Sequence, residues 1–126
     1  MTDRDTDILT AAEATFTGVV RDPSRYAAAA AEILAVARSV DEPEALVVAL
    51  HAHAWARHSF LDNLGAKKIL DEAVRVAEHH CGGTRLGEVL VSRGVALQLL
   101  DARPHAFGVL RGDLRSREST QAFGFR

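Results

Sequence analysis

The sequence has little of what several common protein classes need. Its single cysteine, Cys81, cannot form an internal disulfide. Aromatic residues make up only 6% of the chain, and the alanine-rich apolar fraction is typical of a helical protein. The longest apolar run, at 26–37, contains Glu32 and is too short for a membrane span, which needs about 20 apolar residues. These absences favour a cytoplasmic protein of 126 residues with one domain.

The charge is close to balanced. The net charge is -2 and the pI is about 6.3, so no strong field would attract nucleic acid or a membrane surface. Residues 101–126 contain five arginines and three acidic residues, without interleaved aromatic residues or dense basic runs. The first seven residues, MTDRDTD, lack the basic start and apolar run of a secretory signal. Neither a membrane nor a nucleic acid is therefore expected as a partner.

Apolar periodicity and capping residues predict an all-α protein. Asp41 and Glu44 resemble a capping box before the third helix, and Gly82-Gly83 is a strong stop after the fourth. Asp101 and Pro104 predict the start of a sixth helix, and residues 117–126 read as a frayed tail. The six predicted helices cover about 6–20, 22–39, 42–60, 62–80, 84–100 and 101–116.

The chain also matches itself when it is shifted by 40 residues. Apolar or very small residues recur at positions where two helices would press together: Leu46 on Leu86, Leu50 on Leu90, Ala54 on Gly94, Ala66 on Ala106, and Leu70 on Leu110. The pattern predicts three helix-pair repeats at about 5–40, 41–80 and 81–116.

These positions resemble tetratricopeptide repeats. The resemblance is carried by Leu50, Ala54, Ala66, Leu70 and Ala73 in the middle repeat, and by Leu90, Gly94, Leu97, Ala106 and Leu110 in the last. In the first repeat Ala14 fits, whereas Tyr26 stands where a small residue is expected. The 40-residue period is longer than the usual 34. The resemblance implies a TPR-like solenoid with a concave groove.

More narrowly, the stretches DEPEALV, LDEAVRVAEHH and RLGEVLVSRG resemble the N-terminal repeats of actinobacterial CHAT-domain proteins. The similarity covers about residues 20–103 and implies a repeat module separated from its caspase-like peptidase domain. Similar repeats also occur in actinobacterial transcription regulators, so a fragment of either kind of protein is an alternative.

The resemblance implies a partner-binding groove around the segment HAHAWARH at 51–58. Residues three and four apart share a helix face, and the implied groove residues are Val48, His51, Trp55, His58 and Ser59, with Glu88, Val91 and Gln98 in the next repeat. We expect a non-catalytic scaffold or regulatory adaptor that holds a protein or peptide against Trp55 without a cofactor. The alternative is that these histidines are exposed polar residues without a role in binding.

A metal- or thiol-dependent enzyme is the alternative from another class. His51 and His58 are seven residues apart, about 10.5 Å along a helix, which is too far for a shared ion. His79, His80 and Cys81 fall at a helix C-terminus, where a thiolate is disfavoured. Neither a metal ligand nor a catalytic residue is therefore expected.

The predicted sixth helix offers a surface for self-association. Phe107, Leu110 and Leu114 are apolar where a terminal repeat needs a polar outer face. A homodimer through this apolar C-terminal face is the resulting hypothesis.

Overall fold

The computed structural model describes the backbone of residues 3–111 and the side chains of residues 7–101. Within this part of the chain every regular element is a helix, so the predicted all-α class is confirmed. The helices are α1 (Asp3–Arg21), α2 (Pro23–Ser39), α3 (Pro43–Ser59), α4 (Asn63–His80) and α5 (Gly83–Arg111).

Side-chain caps fix where the inner helices begin. The Asp22 carboxylate accepts a hydrogen bond from the backbone N–H of Arg25 ahead of α2, at 3.3 Å. Asp62 does the same for Gly65 ahead of α4, at 2.9 Å. Each bond satisfies a donor that the first helical turn leaves free. Both caps confirm predicted helix starts.

The predicted cap of α3 is wrong by one residue. Asp41 is exposed, and the buried Glu42 caps α3 by accepting from the Glu44 N–H at 3.1 Å. The reason is Pro43: proline is preorganised for the first helical position and has no N–H to be capped. The residue directly before it therefore becomes the cap.

Residues with positive φ end α3 and α4. Gly82 and Gly83 have φ values of +66° and +54°, and the Gly82 N–H donates to the Ala77 carbonyl at 2.7 Å. Glycine adopts this conformation without steric cost, so the predicted stop is confirmed. Leu61 adopts φ +67° after α3, a conformation that branched side chains rarely take.

The predicted break before a sixth helix is wrong. α5 begins at Gly83 and continues through Pro104 to Arg111. A proline inside a helix removes one backbone hydrogen bond, whereas a full break would leave several carbonyl groups without helical partners. The rest of the predicted sixth helix and the tail at 117–126 lie outside the described residues.

α3 is the centre of the packing. It packs extensively against α1, α2 and α4, whereas α5 packs mainly against α4 and meets α3 at few positions. α3 is therefore surrounded by α1, α2 and α4, and α5 lies against α4. The main core cluster contains Ala12, Leu34, Ala37, Val47, Val48, Ala49, Leu50, Ala73, Val74, Ala77 and Val89.

Small residues set how closely the helix pairs approach, as the repeat pattern predicts for α3 and α4. Ala54 of α3 packs in one cluster with Ala66 and Leu70 of α4. In the first pair the expected small residue is misplaced: Ala14 is exposed, and Gly18 faces the Tyr26 ring instead. Only Asp22 separates α1 from α2, whereas three residues separate α3 from α4. The shorter turn shifts the pairing by one helical turn.

Ion pairs add links between neighbouring helices. Arg38 of α2 pairs with both carboxylate oxygens of Glu72 on α4, at 2.7 and 2.9 Å. On α4, Asp71 pairs with Lys67 at 2.8 Å and with Arg93 of α5 at 2.9 Å. Among the described helices, none combines the length and the apolar character needed to cross a bilayer.

Candidate binding cleft

A cleft of about 220 Å³ opens where α5 separates from α3, beside α1. We call it the Arg85 cleft, after the one arginine on its rim. Its lining combines an apolar floor with charged edges and consists of Glu13, Phe16, Thr17, Val47, Val48, His51, Arg85, Glu88 and Val89.

Arg85 holds the three helices around the cleft together. Its guanidinium donates to Glu13 of α1, to Glu44 of α3 at 3.0 Å and to Glu88 of α5 at 3.5 Å. Burial opposes the charge of Arg85, but hydrogen bonds and attraction from Glu13 and Glu44 outweigh it and raise the Arg85 pKa. Three carboxylates therefore surround one cation, and the rim carries an excess of negative charge.

His51 forms a wall of the cleft rather than an exposed edge. It is only 8% exposed, its ring lies 4.5 Å from that of Phe16 between centroids, and its Nε2 is 2.7 Å from Ser92 Oγ in a hydrogen bond. Burial, aided by the nearby Arg85 charge, lowers the His51 pKa to about 4. His51 is therefore neutral at pH 7 and joins α3 to α5. His51, predicted as a groove residue, lines the cleft as a buried side chain because α1 and α5 pack over it.

Trp55 lies next to this wall and is half-buried. Its ring meets His51 edge-on at 6.5 Å and His58 at 5.6 Å between centroids. It packs against the cluster formed by Val19, Ala30, Ala52 and Ala56. A void of only about 10 Å³ remains beside it, between Ala54, Ser92 and Ala96. Trp55 thus has one face against the core and borders the small void between α3 and α5.

The other predicted groove residues divide into two groups. Val48 and Glu88 line the Arg85 cleft together with His51. Ser59 is exposed and its hydroxyl donates to the Trp55 carbonyl of its own helix at 3.0 Å. Val91 and Gln98 are exposed on α5 and do not line the cleft. The structure therefore brings together only part of the predicted set.

Three residues that sequence reasoning missed define the cleft. Phe16 forms its floor, and Glu13 and Arg85 pair across it although they are 72 residues apart. Their opposite charges were visible in the sequence, but a single acid and a single arginine at that separation give no pairing signal. The 40-residue offset relates Arg85 to Ala45, so the repeat pattern does not indicate a role for Arg85.

One histidine in each of the two clusters forms a hydrogen bond to a nearby residue. His58 Nδ1 is bonded to Asn63 Oδ1 at 2.8 Å, and Trp55 stands between His58 and His51. His79 Nδ1 is bonded to the Arg75 carbonyl at 2.7 Å. Over residues 7–101, no three His, Cys, Asp or Glu side chains are placed to hold a metal ion.

Cys81 caps the C-terminus of α4 and borders an open hollow of about 470 Å³. Burial, with the negative charges of Glu44 and Glu42, raises the pKa of its thiol. A raised pKa keeps the sulfur protonated at neutral pH, and a thiol is a weak nucleophile. The arrangement at Cys81 therefore favours a structural side chain.

Comparison of the chain with models of protein families, with curated proteins and with solved structures finds no match.

Proposed function

We propose that this protein is a non-catalytic, TPR-like module that binds a peptide segment of a partner protein in the Arg85 cleft. The observation that carries the proposal is the cleft itself, an apolar floor bordered by charged side chains of α1 and α5. Apolar floors with a few oriented polar groups are typical of binding sites. A scaffold or regulatory adaptor in the cytoplasm is the corresponding role.

The charge of the rim favours a basic partner segment. Glu13 and Glu88 line the cleft with Arg85, so the rim keeps a net charge of about -1, and Glu44 adds a further negative charge behind Arg85. A lysine or arginine of the partner would relieve this excess, while an adjoining apolar side chain would rest on Phe16 and Val48. Such complementarity acts mainly on specificity and association rate.

The residues first expected to contact the partner take different roles in this proposal. His51 supports the cleft as a neutral wall, and Trp55 stiffens the α3–α5 junction behind it. Glu88 and Val48 remain contact residues because both line the cleft. A partner residue at the cleft would change the environment of the chain's only tryptophan.

Selection from a random peptide display library tests the proposal. We expect selected peptides to combine a basic residue with an apolar neighbour and to shift Trp55 fluorescence on binding. Glu88→Lys reverses one rim charge and should weaken binding at least tenfold, with the loss reduced at high salt.

Glu32→Lys is the matched control, because Glu32 is equally an exposed glutamate but lies on α2. It should leave peptide affinity unchanged. Equal affinities of wild type, Glu88→Lys and Glu32→Lys, or a selection that yields no binding peptide, would overturn the proposal.

The relation to CHAT-associated repeats or to transcription regulators remains part of this proposal. In either setting a peptide-binding repeat array would recruit or position a separate effector protein. The narrow resemblance of residues 20–103 supports that setting, and the Arg85 cleft supplies a surface for recruitment.

A further inference from the structure

Two glutamates of the Arg85 cleft reach the same cation from different helices. Glu13 of α1 accepts a hydrogen bond from Nη2 of Arg85, and Glu88 of α5 accepts from Nη1 at 3.5 Å. Both side chains line the cleft, and each is 48% exposed. We call Glu13 and Glu88 the carboxylate pair. Because the pair is half exposed, a ligand that enters the cleft can reach it.

The carboxylate pair has acceptor capacity left after it has bound Arg85. The contacts to Arg85 use Oε2 of Glu13 and Oε1 of Glu88. An ionised carboxylate offers about four lone-pair sites on its two oxygens, so each glutamate can accept further hydrogen bonds. Arg85 itself demonstrates that one guanidinium group reaches both carboxylates. A second guanidinium group, approaching from solvent, would meet the same spacing.

The charge at the cleft favours one further cation. Glu13 and Glu88 carry two negative charges against one positive charge on Arg85, so the three groups have a net charge of about -1. Repulsion between Arg85 and an incoming cation is reduced, because Glu44 binds Arg85 from behind, at Nε. One basic side chain of a partner therefore neutralises the charged groups that line the cleft.

The floor of the cleft favours a flat cation. Phe16 lines the cleft, and its ring lies 4.5 Å from that of the neutral His51 between centroids. A guanidinium group is planar, weakly hydrated and stacks on aromatic rings, whereas the ammonium group of lysine is compact and strongly hydrated. Moving a guanidinium group from water onto Phe16 therefore costs less free energy than moving an ammonium group there.

We propose that the Arg85 cleft selects an arginine over a lysine in the partner segment, through the carboxylate pair and Phe16. This inference rests on the peptide-binding function proposed above and names the side chain that the cleft recognises. The partner's guanidinium group donates to Glu13 and Glu88 together and lies against the Phe16 ring. Charge-assisted contacts of this forked kind are geometrically specific, and a lysine ammonium cannot reproduce them.

Three synthetic peptides test the selection. The first is acetyl-Gly-Ser-Arg-Leu-Ser-Gly-amide, the second has lysine in place of arginine, and the third has asymmetric dimethylarginine there. Dimethylation keeps the positive charge but removes N–H donors. Titration of the whole chain, followed by NMR, should show the arginine peptide binding at least fivefold more tightly than the lysine peptide. The dimethylated peptide should bind no more tightly than the lysine peptide.

Substitutions then locate the source of the preference. Glu88→Ala removes one member of the carboxylate pair, so the ratio of arginine to lysine affinity should fall at least twofold. Phe16→Leu should lower the same ratio, because the aromatic ring is lost. Glu32→Ala, at an exposed glutamate of α2, is the matched control and should leave the ratio unchanged. The ratio compares two ligands on one protein, so a general loss of stability does not alter it.

The outcomes separate this inference from the proposed function. Equal affinities of the arginine and lysine peptides for the wild-type chain would overturn the arginine selection and leave peptide binding in place. A ratio that Glu88→Ala and Phe16→Leu leave unchanged would do the same. If none of the three peptides binds, the selection is wrong, and the library experiment decides separately whether the cleft binds peptides at all.

Discussion

α3 and α5 have matching apolar patterns at an offset of 40 residues, but their apolar faces are buried to different extents. α3 has neighbours on both sides, so Leu50 and Ala54 are buried against α4. α5 has α4 on one side, and Leu90 and Gly94 remain exposed on the other. The apolar pattern of a helix therefore determines which of its faces can be buried. Whether that face is buried depends on the presence of a following helix.

The difference also locates the cleft. α3 is held to α1 and α4 along its length, whereas it meets α5 at few positions. Two polar links join α3 to α5, His51 to Ser92 and Glu44 to Arg85, beside the apolar contacts of Val89 and Ala96. We infer that α5 is the least stably held helix and that the cleft depends on these polar links.

The largest expected effect comes from truncating the buried leucine. Leu50→Ala should lower the free energy of unfolding by about 3–5 kcal/mol, because it leaves a cavity in the core. Leu90→Ala, the same change at the equivalent position of α5, should cost about 1 kcal/mol or less, since little packing is lost. Urea unfolding followed by circular dichroism at high dilution measures both values. Similar losses for the two variants would contradict the idea that only the α3 position is covered.

A second prediction concerns the link between α3 and α5 at acidic pH. The His51 pKa is about 4 in the folded chain, against 6.5 for an unperturbed histidine. As pH falls from 6.5 towards 4, the unfolded state takes up the proton first, so stability should decrease by about 3 kcal/mol. Stability attributable to His51 is complete above pH 6.5 and levels off below pH 4.

The pH effect is measured as the difference between wild type and His51→Gln. Glutamine can still bond to Ser92 but does not titrate, so its unfolding free energy should lack this part of the slope. Other groups titrate equally in both proteins and cancel. Parallel stability curves between pH 4 and pH 6.5 would show that His51 is not buried in its neutral form.

Glycine substitutions compare a crowded helix contact with an open one. A Cβ at Gly18 would lie 2.6 Å from the Tyr26 ring, whereas one at Gly94 meets nothing within 4 Å. Gly18→Ala should destabilise the fold by about 1–2 kcal/mol, because overcrowding outweighs the gain in helix propensity. Gly94→Ala should stabilise the fold by up to about 1 kcal/mol. Thermal unfolding decides the signs, and the double variant Gly18→Ala/Tyr26→Leu should recover part of the loss.

The positions of the helices could be predicted because their signals are local. Asp22-Pro23, Asp62 and Gly82-Gly83 act within one or two turns of the backbone, and each marks an observed boundary. The signal of Pro104 is also local, and the helix break that it predicts is not observed. Proline in a helix removes one backbone hydrogen bond. Whether α5 continues past Pro104 depends on how this loss compares with the larger loss of hydrogen bonds when a helix ends.

The cleft could be predicted only in part, because it depends on distant pairings. A helix-face argument placed Val48 and His51 on one side of α3, which is where the cleft lies. It could not show that α1 and α5 close over His51, or that Arg85 joins Glu13 and Glu44. Those contacts depend on how α5 departs from α3, and no periodicity within either helix encodes that separation.

The smallest expected effect concerns the ion pair that joins α2 to α4. Arg38 and Glu72 form a two-point contact between α2 and α4, and both side chains remain partly exposed. A double-mutant cycle with Arg38→Ala and Glu72→Ala should give a coupling of about 0.5–1 kcal/mol that weakens with salt. Lys67→Ala with Asp71→Ala, within α4 alone, provides a reference pair expected to couple by about 0.3–0.5 kcal/mol. A larger coupling for Arg38 and Glu72 would show that this ion pair helps to hold the first two helix pairs together. Coupling no larger than the reference would assign their cohesion to the apolar contacts of α3, which α5 largely lacks.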